Sequence, residues 1–163
     1  MTRDKVFQLK QDAVEKLAEN YGTPLLVLSM EQVKANYECL KTYMPRVRIY
    51  YAMKANPHPE ILKAMINLGS SFDVASAGEI RTLNELGVSG ERMIYANPVK
   101  LGAGFKACRD CGVTKMTFES AREIDKMKKE LPGATVLLRL RIDNSTALVD
   151  LNKKFGAGRE RAI

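Results

Sequence analysis

The chain has 163 residues, three cysteines, one histidine and a formal net charge of +7 at pH 7. A chain of this length is about one ordinary domain and buries about 70% of its unfolded surface when folded. No run approaches the roughly 18 apolar residues of a membrane span, and Met1-Thr2-Arg3-Asp4-Lys5 leads into an amphipathic segment rather than a signal-peptide core, so a soluble cytoplasmic protein is expected.

The elements follow in a regular order. Apolar spacing predicts a helix from Lys5 to Tyr21 and a strand at Pro24 to Leu28. Ser29 is placed to cap a helix from Met30 to Tyr43, and Pro45 punctuates the entry to a strand at Val47 to Tyr51. A helix from His58 to Leu68 is closed by Gly69, and a strand at Ser71 to Val74 leads to a helix at Ala77 to Leu86 ended by Gly87. A strand at Arg92 to Ala96, a helix from Val99 to Asp110 stopped at Gly112, and a strand at Lys115 to Phe118 repeat the pattern. A helix from Ser120 to Glu130, the Pro132-Gly133 break and a strand from Thr135 to Leu140 complete it.

Strands that recur about every 20 to 25 residues with a helix between each pair predict a parallel sheet built from βαβ crossovers. A (β/α) barrel and a doubly wound sheet both satisfy that grammar. In a barrel the chemistry gathers at the carboxyl ends of the strands, where Lys54, Ser76, Asn97 and Arg141 fall.

Charge and cysteine usage narrow the function classes. Lys and Arg are scattered, and between Glu123 and Glu130 they alternate with acids, a pattern that predicts a solvated helix face. There is no aromatic RNA-binding set, zinc-finger spacing or long basic block, so no nucleic-acid partner is expected. Cys108-Arg109-Asp110-Cys111 has the C-x-x-C form but falls near a predicted helix C-terminus, whereas a redox pair wants a helix N-terminus to lower a thiol pKa. Only Cys39 and His58 remain as soft ligands, so neither a metal site nor a disulfide framework is expected, and His58 reads as a helix-start residue.

Lys54 is the leading candidate for chemistry. It follows an apolar strand in Tyr50-Tyr51-Ala52-Met53-Lys54-Ala55-Asn56-Pro57, and a lysine held away from water at a strand end favours its neutral amine and can form a Schiff base. By residue type alone, Asp73 is equally a turn former, Glu79 a first-turn acid favoured by the helix dipole, and Arg139 a partner for a carboxylate.

The runs Tyr51 to Pro57, Phe72-Asp73-Val74-Ala75-Ser76-Ala77-Gly78-Glu79-Ile80 and Ile94-Tyr95-Ala96-Asn97-Pro98-Val99-Lys100 resemble the pyridoxal-phosphate-dependent ornithine and lysine decarboxylases of the alanine-racemase-like barrel class. Met116-Thr117-Phe118-Glu119-Ser120, Leu138-Arg139-Leu140-Arg141 and Lys153-Lys154-Phe155-Gly156 extend the resemblance from about Tyr21 to Gly156.

The resemblance implies a partial (β/α)8 TIM-type barrel of about five βα units preceded by a helix and a strand. Residues 1–45 would lead into the barrel and residues 46–163 would form its first part. It implies that Lys54 holds pyridoxal 5'-phosphate, that Asp73 lies near the cofactor with Glu79 supporting that acidic pair, that Arg139 contacts the ring side of the pocket, and that Lys154 reaches across a homodimer interface. The implied activity is decarboxylation of ornithine, lysine or both to putrescine or cadaverine.

Family segments that cover the cofactor ring, bind its phosphate and pair with its pyridine nitrogen are not found in these residues. The expectation is therefore the N-terminal part of such an enzyme, lacking the second barrel half and the β domain, unstable and inactive alone. The other reading is a non-catalytic decarboxylase-like protein that pairs with an intact homologue.

Overall fold

The computed structural model describes residues 7–142, 155–158 and 160. The chain divides into two compact units, Met1–Val47 and Arg48–Ile163.

The first unit holds α1 (Gln11–Tyr21) and α2 (Met30–Tyr43). Ser29 caps α2 as expected, its Oγ accepting the N–H of Gln32 at 3.2 Å. The strand expected at Pro24 to Leu28 does not form; these residues are irregular and exposed, Leu26 at 88%. The apolar run has strand composition, but a strand exists only where a neighbour completes its hydrogen-bond ladder, and none does so among the described residues.

The second unit begins with β1 (Tyr50–Ala52), a single helical turn Met53–Ala55, and α3 (Pro59–Asn67). It continues through β2 (Ser71–Val74), α4 (Ala77–Glu85), β3 (Met93–Tyr95), α5 (Gly102–Cys111), β4 (Lys115–Phe118), α6 (Ala121–Glu130) and β5 (Thr135–Leu138). The strands form one sheet in the order β1-β2-β3-β4-β5, and every adjacent pair is parallel. Strictly sequential order separates the two architectures left open above: a doubly wound sheet reverses direction at a switch point, whereas a barrel advances one neighbour at a time. This unit is the arc of a (β/α) barrel.

The helix ends follow their sequence signals. His58 starts α3, its Nδ1 accepting the N–H of Glu60 at 3.2 Å. Ser76 and Ser120 accept the N–H groups of Glu79 and Glu123 at the starts of α4 and α6. Gly112 ends α5 at φ 69°, where a left-handed residue releases the chain toward β4.

Alternation in the strands sorts the faces. In β2, Phe72 and Val74 are fully buried while Asp73 between them is half-buried. Met93, Tyr95 and Met116 join that core with Leu62, Ile80, Leu83, Phe105 and Met127 from the helices. Asp73 therefore stands on the opposite face of the sheet from the helix-packed core.

The last strand is less covered, with Val136 and Leu137 each more than 40% exposed. Its edge is nevertheless not wholly open. Past β5, Leu140 and Ala157 form a parallel bridge, in which Ala157 donates to the Arg139 carbonyl at 2.8 Å and Arg141 donates to the Ala157 carbonyl at 2.9 Å. The outer edge just past β5 is thus partly paired by the chain itself.

Candidate active site

The carboxyl ends of the strands frame a cavity of about 520 Å³ lined by Lys54, Asp73, Ala75, Ala96, Asn97, Pro98, Thr117, Arg139 and Phe155. Its size falls within the roughly 300–1,000 Å³ range of small-molecule sites. Three separate sequence candidates, Lys54, Asp73 and Arg139, meet there.

Lys54 sits in the turn after β1. That turn is braced, because Tyr51 Oη donates to the Asn56 carbonyl at 2.9 Å and His58 N donates to Asn56 Oδ1 at 3.0 Å. Burial raises the pKa of the Tyr51 hydroxyl, which keeps it a donor. Lys54 itself is exposed rather than withdrawn from water; among the described residues β1 has a strand neighbour on one side only.

The carboxyl of Asp73 is pushed above its ordinary value, first by burial. Lys54 opposes that shift, Glu79 adds to it as a like charge, and Arg139 opposes it. Glu79 does not line the cavity: its Oε2 accepts the N–H of Ala75 at 2.6 Å, which pins the backbone just beyond β2. It is both a first-turn acid of α4 and an electrostatic neighbour of Asp73.

Arg139 lies just past β5 with its guanidinium carbon 5.1 Å from the centre of the Phe155 ring. Gly156 next to it donates to Glu119 Oε2 at 2.6 Å, so the segment bearing Phe155 is tied to the end of β4. Lys154 lies outside the described residues. Arg141, noted at a strand end, takes part through its backbone in the bridge to Ala157.

Reasoning from sequence missed several wall residues. Thr117 and Phe155 lie inside motifs quoted above, but only their positions in space bring them to the cavity. Thr117 Oγ1 is the one buried side-chain oxygen or nitrogen without a hydrogen-bond partner among the described residues.

The solvated face expected from Glu123 to Glu130 also needs correction at its first residue. Glu123 is buried, and its Oε1 accepts the N–H of Lys100 at 2.9 Å. The Ser120-x-x-Glu123 spacing was the available signal, since a glutamate three residues past an N-cap turns back over the helix start rather than out to solvent.

Cys108 and Cys111 close α5 at its C-terminal end, as their position predicts. Burial pushes the Cys108 thiol up to about 12, which suppresses the reactive thiolate. No helix among the described residues is long and apolar enough to cross a membrane.

Comparison with known proteins agrees with this architecture. The family model described as pyridoxal-dependent decarboxylase, pyridoxal binding domain, matches residues 30–163. Over 159 residues the chain is 53% identical to the lysine/ornithine decarboxylase of Selenomonas ruminantium, covering 98% of this chain and 40% of that protein. It is 40% identical over 114 residues to antizyme inhibitor 2 of Xenopus laevis, covering 70% of this chain and 25% of that one. The crystal structure of lysine decarboxylase from Selenomonas ruminantium superimposes with a TM-score of 0.89 at 53% identity, over 97% of this chain and 42% of that one. The chain thus spans about two fifths of the length of the Selenomonas proteins it matches.

The cavity fits a pyridoxal group. An aldehyde needs a primary amine, and Lys54 presents one; a flat, charged ring and its substituents need polar partners, and Asp73, Arg139 and the free Thr117 hydroxyl supply them from three different strands. Three strand ends pre-position these groups, which lowers the cost of ordering them around a ligand.

Proposed function

The chain belongs to the pyridoxal-dependent decarboxylases, and on that footing we propose that it is the N-terminal portion of an enzyme that removes the carboxylate of ornithine, lysine or both to give putrescine or cadaverine. The observation that carries this reading is the meeting of Lys54, Asp73 and Arg139 on one cavity at the carboxyl ends of parallel strands. The 53% identity to a lysine/ornithine decarboxylase supports the choice of substrate class.

When bound, pyridoxal phosphate supplies an electron-withdrawing ring that accepts the electron pair left as carbon dioxide departs. The residues of this chain do the rest of the work assigned to this half of the site. Lys54, whose primary amine lines the cavity, is the residue that would hold the aldehyde of that group. Asp73 provides the negative charge beside Lys54, and Glu79 acts at one remove by fixing Ala75 and by its charge on Asp73. Arg139, backed by Phe155, sets a cation on the β5 side of the cavity.

The same reading covers the assembly and the compartment. Lys154 is assigned to a homodimer interface, on the family resemblance alone, and the free cysteines fit a reducing cytoplasm. A peptide of these 163 residues alone is assigned little or no turnover, because it spans only 40% of the lysine/ornithine decarboxylase it resembles.

The test is to assay the protein isolated from its source with ornithine and with lysine in the presence of pyridoxal phosphate, reading diamine formation. Product should form and should vanish in Lys54→Ala; full activity in that variant sinks the assignment. A second reading, a decarboxylase-like partner protein, is favoured by the likeness to antizyme inhibitor 2. It predicts a stable complex with an intact decarboxylase and no diamine from either amino acid.

A further inference from the structure

The backbone ladder of the sheet stops short of the cavity, and side chains take over its role. At the end of β2, Asn97 Nδ2 donates to the Ala75 carbonyl at 3.3 Å, while Asn97 Oδ1 accepts the N–H of Val99 at 3.2 Å. One residue beyond, Lys100 has a side chain that is 0% exposed, and its Nζ donates to the Asn97 carbonyl at 2.9 Å and to the Thr117 carbonyl at 2.6 Å. Glu123 Oε1 lies 3.6 Å from the same ammonium. The ammonium therefore donates to two backbone carbonyls and has Glu123 as its ion-pair partner.

The backbone of Lys100 is held as firmly. Its N–H donates to Glu123 Oε1 at 2.9 Å, and its carbonyl accepts from Lys126 Nζ at 2.8 Å. Lys126 in turn pairs with Glu123 Oε2 at 2.6 Å. The Tyr95 ring lies under the ammonium at 5.6 Å.

A buried lysine is costly; an apolar side chain of similar length would fill the space but would leave the buried Glu123 carboxylate with Lys126 as its ion-pair partner. What a methionine could not do is draw two carbonyls from separate strands onto one point. Asn97 and Thr117, whose carbonyls Lys100 holds, are both cavity-wall residues, and Thr117 carries the free buried hydroxyl.

We propose that Lys100 is a positioning residue: its ammonium clasps the ends of β3 and β4 and thereby fixes Asn97 and Thr117 in the wall that receives the cofactor. The claim rests on the cofactor reading above for its consequence, but the clasp itself is a property of the protein without ligand.

The test compares Lys100→Met with Arg92→Met in the protein as isolated from its source. Arg92 is the matched control because its guanidinium makes a similar backbone clasp, to the Ser70 carbonyl at 2.6 Å and the Ile66 carbonyl at 3.2 Å, at the opposite ends of the strands. Two readouts are taken: the dissociation constant for pyridoxal phosphate, followed by its absorbance, and amide hydrogen exchange without cofactor.

Lys100→Met should weaken pyridoxal phosphate binding by about tenfold or more. It should also speed exchange in peptides spanning 96–101 and 117–120 beyond the rest of the sheet. Arg92→Met, at equal loss of unfolding midpoint, should bind at the parental constant. Equal binding losses in the two variants, or parental binding in Lys100→Met, would reduce Lys100 to a general stabiliser and overturn the proposal. If the parent itself takes no pyridoxal phosphate, the cofactor reading fails, and the exchange data still decide the clasp: a local rise upholds it and unchanged exchange refutes it.

Discussion

Glu79 reaches back across the start of its own helix and accepts the backbone N–H of Ala75 at 2.6 Å. Because Ala75 follows the strand that carries Asp73 and itself lines the cavity, one carboxylate holds the frame in which the other is displayed. Glutamine at position 79 could keep the hydrogen bond but not the charge. Glu79→Gln is therefore expected to preserve the fold while bringing the Asp73 carboxyl closer to its ordinary value. Carboxyl titration of Asp73 by NMR checks this, and an unchanged Asp73 titration would contradict the coupling.

Asp73 itself makes stability depend on pH in a definite direction. Its carboxyl is raised above 3.8, chiefly by burial, so the folded state binds its proton more tightly than the unfolded state does. Its contribution is present below 3.8 and is lost as pH rises through the higher folded-state value. Asp73→Asn should thus gain stability relative to the parent between an acidic and a neutral denaturation series, with the difference levelling off above that window. A variant that loses stability relative to the parent as pH rises would contradict the assignment.

The buried carboxylate of Glu123 stands between two lysines, at 3.6 Å from Lys100 and 2.6 Å from Lys126. Removing it strands the fully buried Lys100 ammonium, and Glu123→Ala is expected to cost about 3–5 kcal/mol. Lys126→Ala removes a part-exposed partner and should cost about 1 kcal/mol or less. Urea denaturation of both variants gives the comparison, and equal costs would mean that burial of the pair is not what matters.

Gly156 adopts φ 113°, and a Cβ added there would lie 2.8 Å from the Arg141 backbone nitrogen. Alanine at this position must both strain the backbone and push the bridge partner away, at about 1–3 kcal/mol. Gly156→Ala should therefore loosen Phe155 from Arg139 and weaken cofactor binding. A variant with parental stability and binding would separate this segment from the site.

Much of the fold was legible because helix and strand signals alternate with their punctuation intact. Gly69, Gly87 and Gly112 all adopt positive φ, where glycine carries no Cβ penalty. Barrel and doubly wound sheet could not be told apart from that alternation, since strand order is a property of pairing and not of any one segment. Pro24 to Leu28 failed for the same reason: its composition suits a strand, but no ladder partner exists among the described residues. At the site, Lys54, Asp73 and Arg139 were recognisable from their motifs. Thr117, Phe155 and Lys100 were not, because the register of β4, the bridge to Ala157 and the burial of one lysine among 26 basic residues emerge only after folding.

The central claim is that Lys54 carries the cofactor. It is tested most directly by treating the protein isolated from its source with pyridoxal phosphate and borohydride, then mapping the label by peptide mass spectrometry. The account predicts a single reduced pyridoxyl group on Lys54, absent from Lys54→Ala. A label scattered over the surface lysines, or no label on Lys54 while the other lysines react, would contradict it.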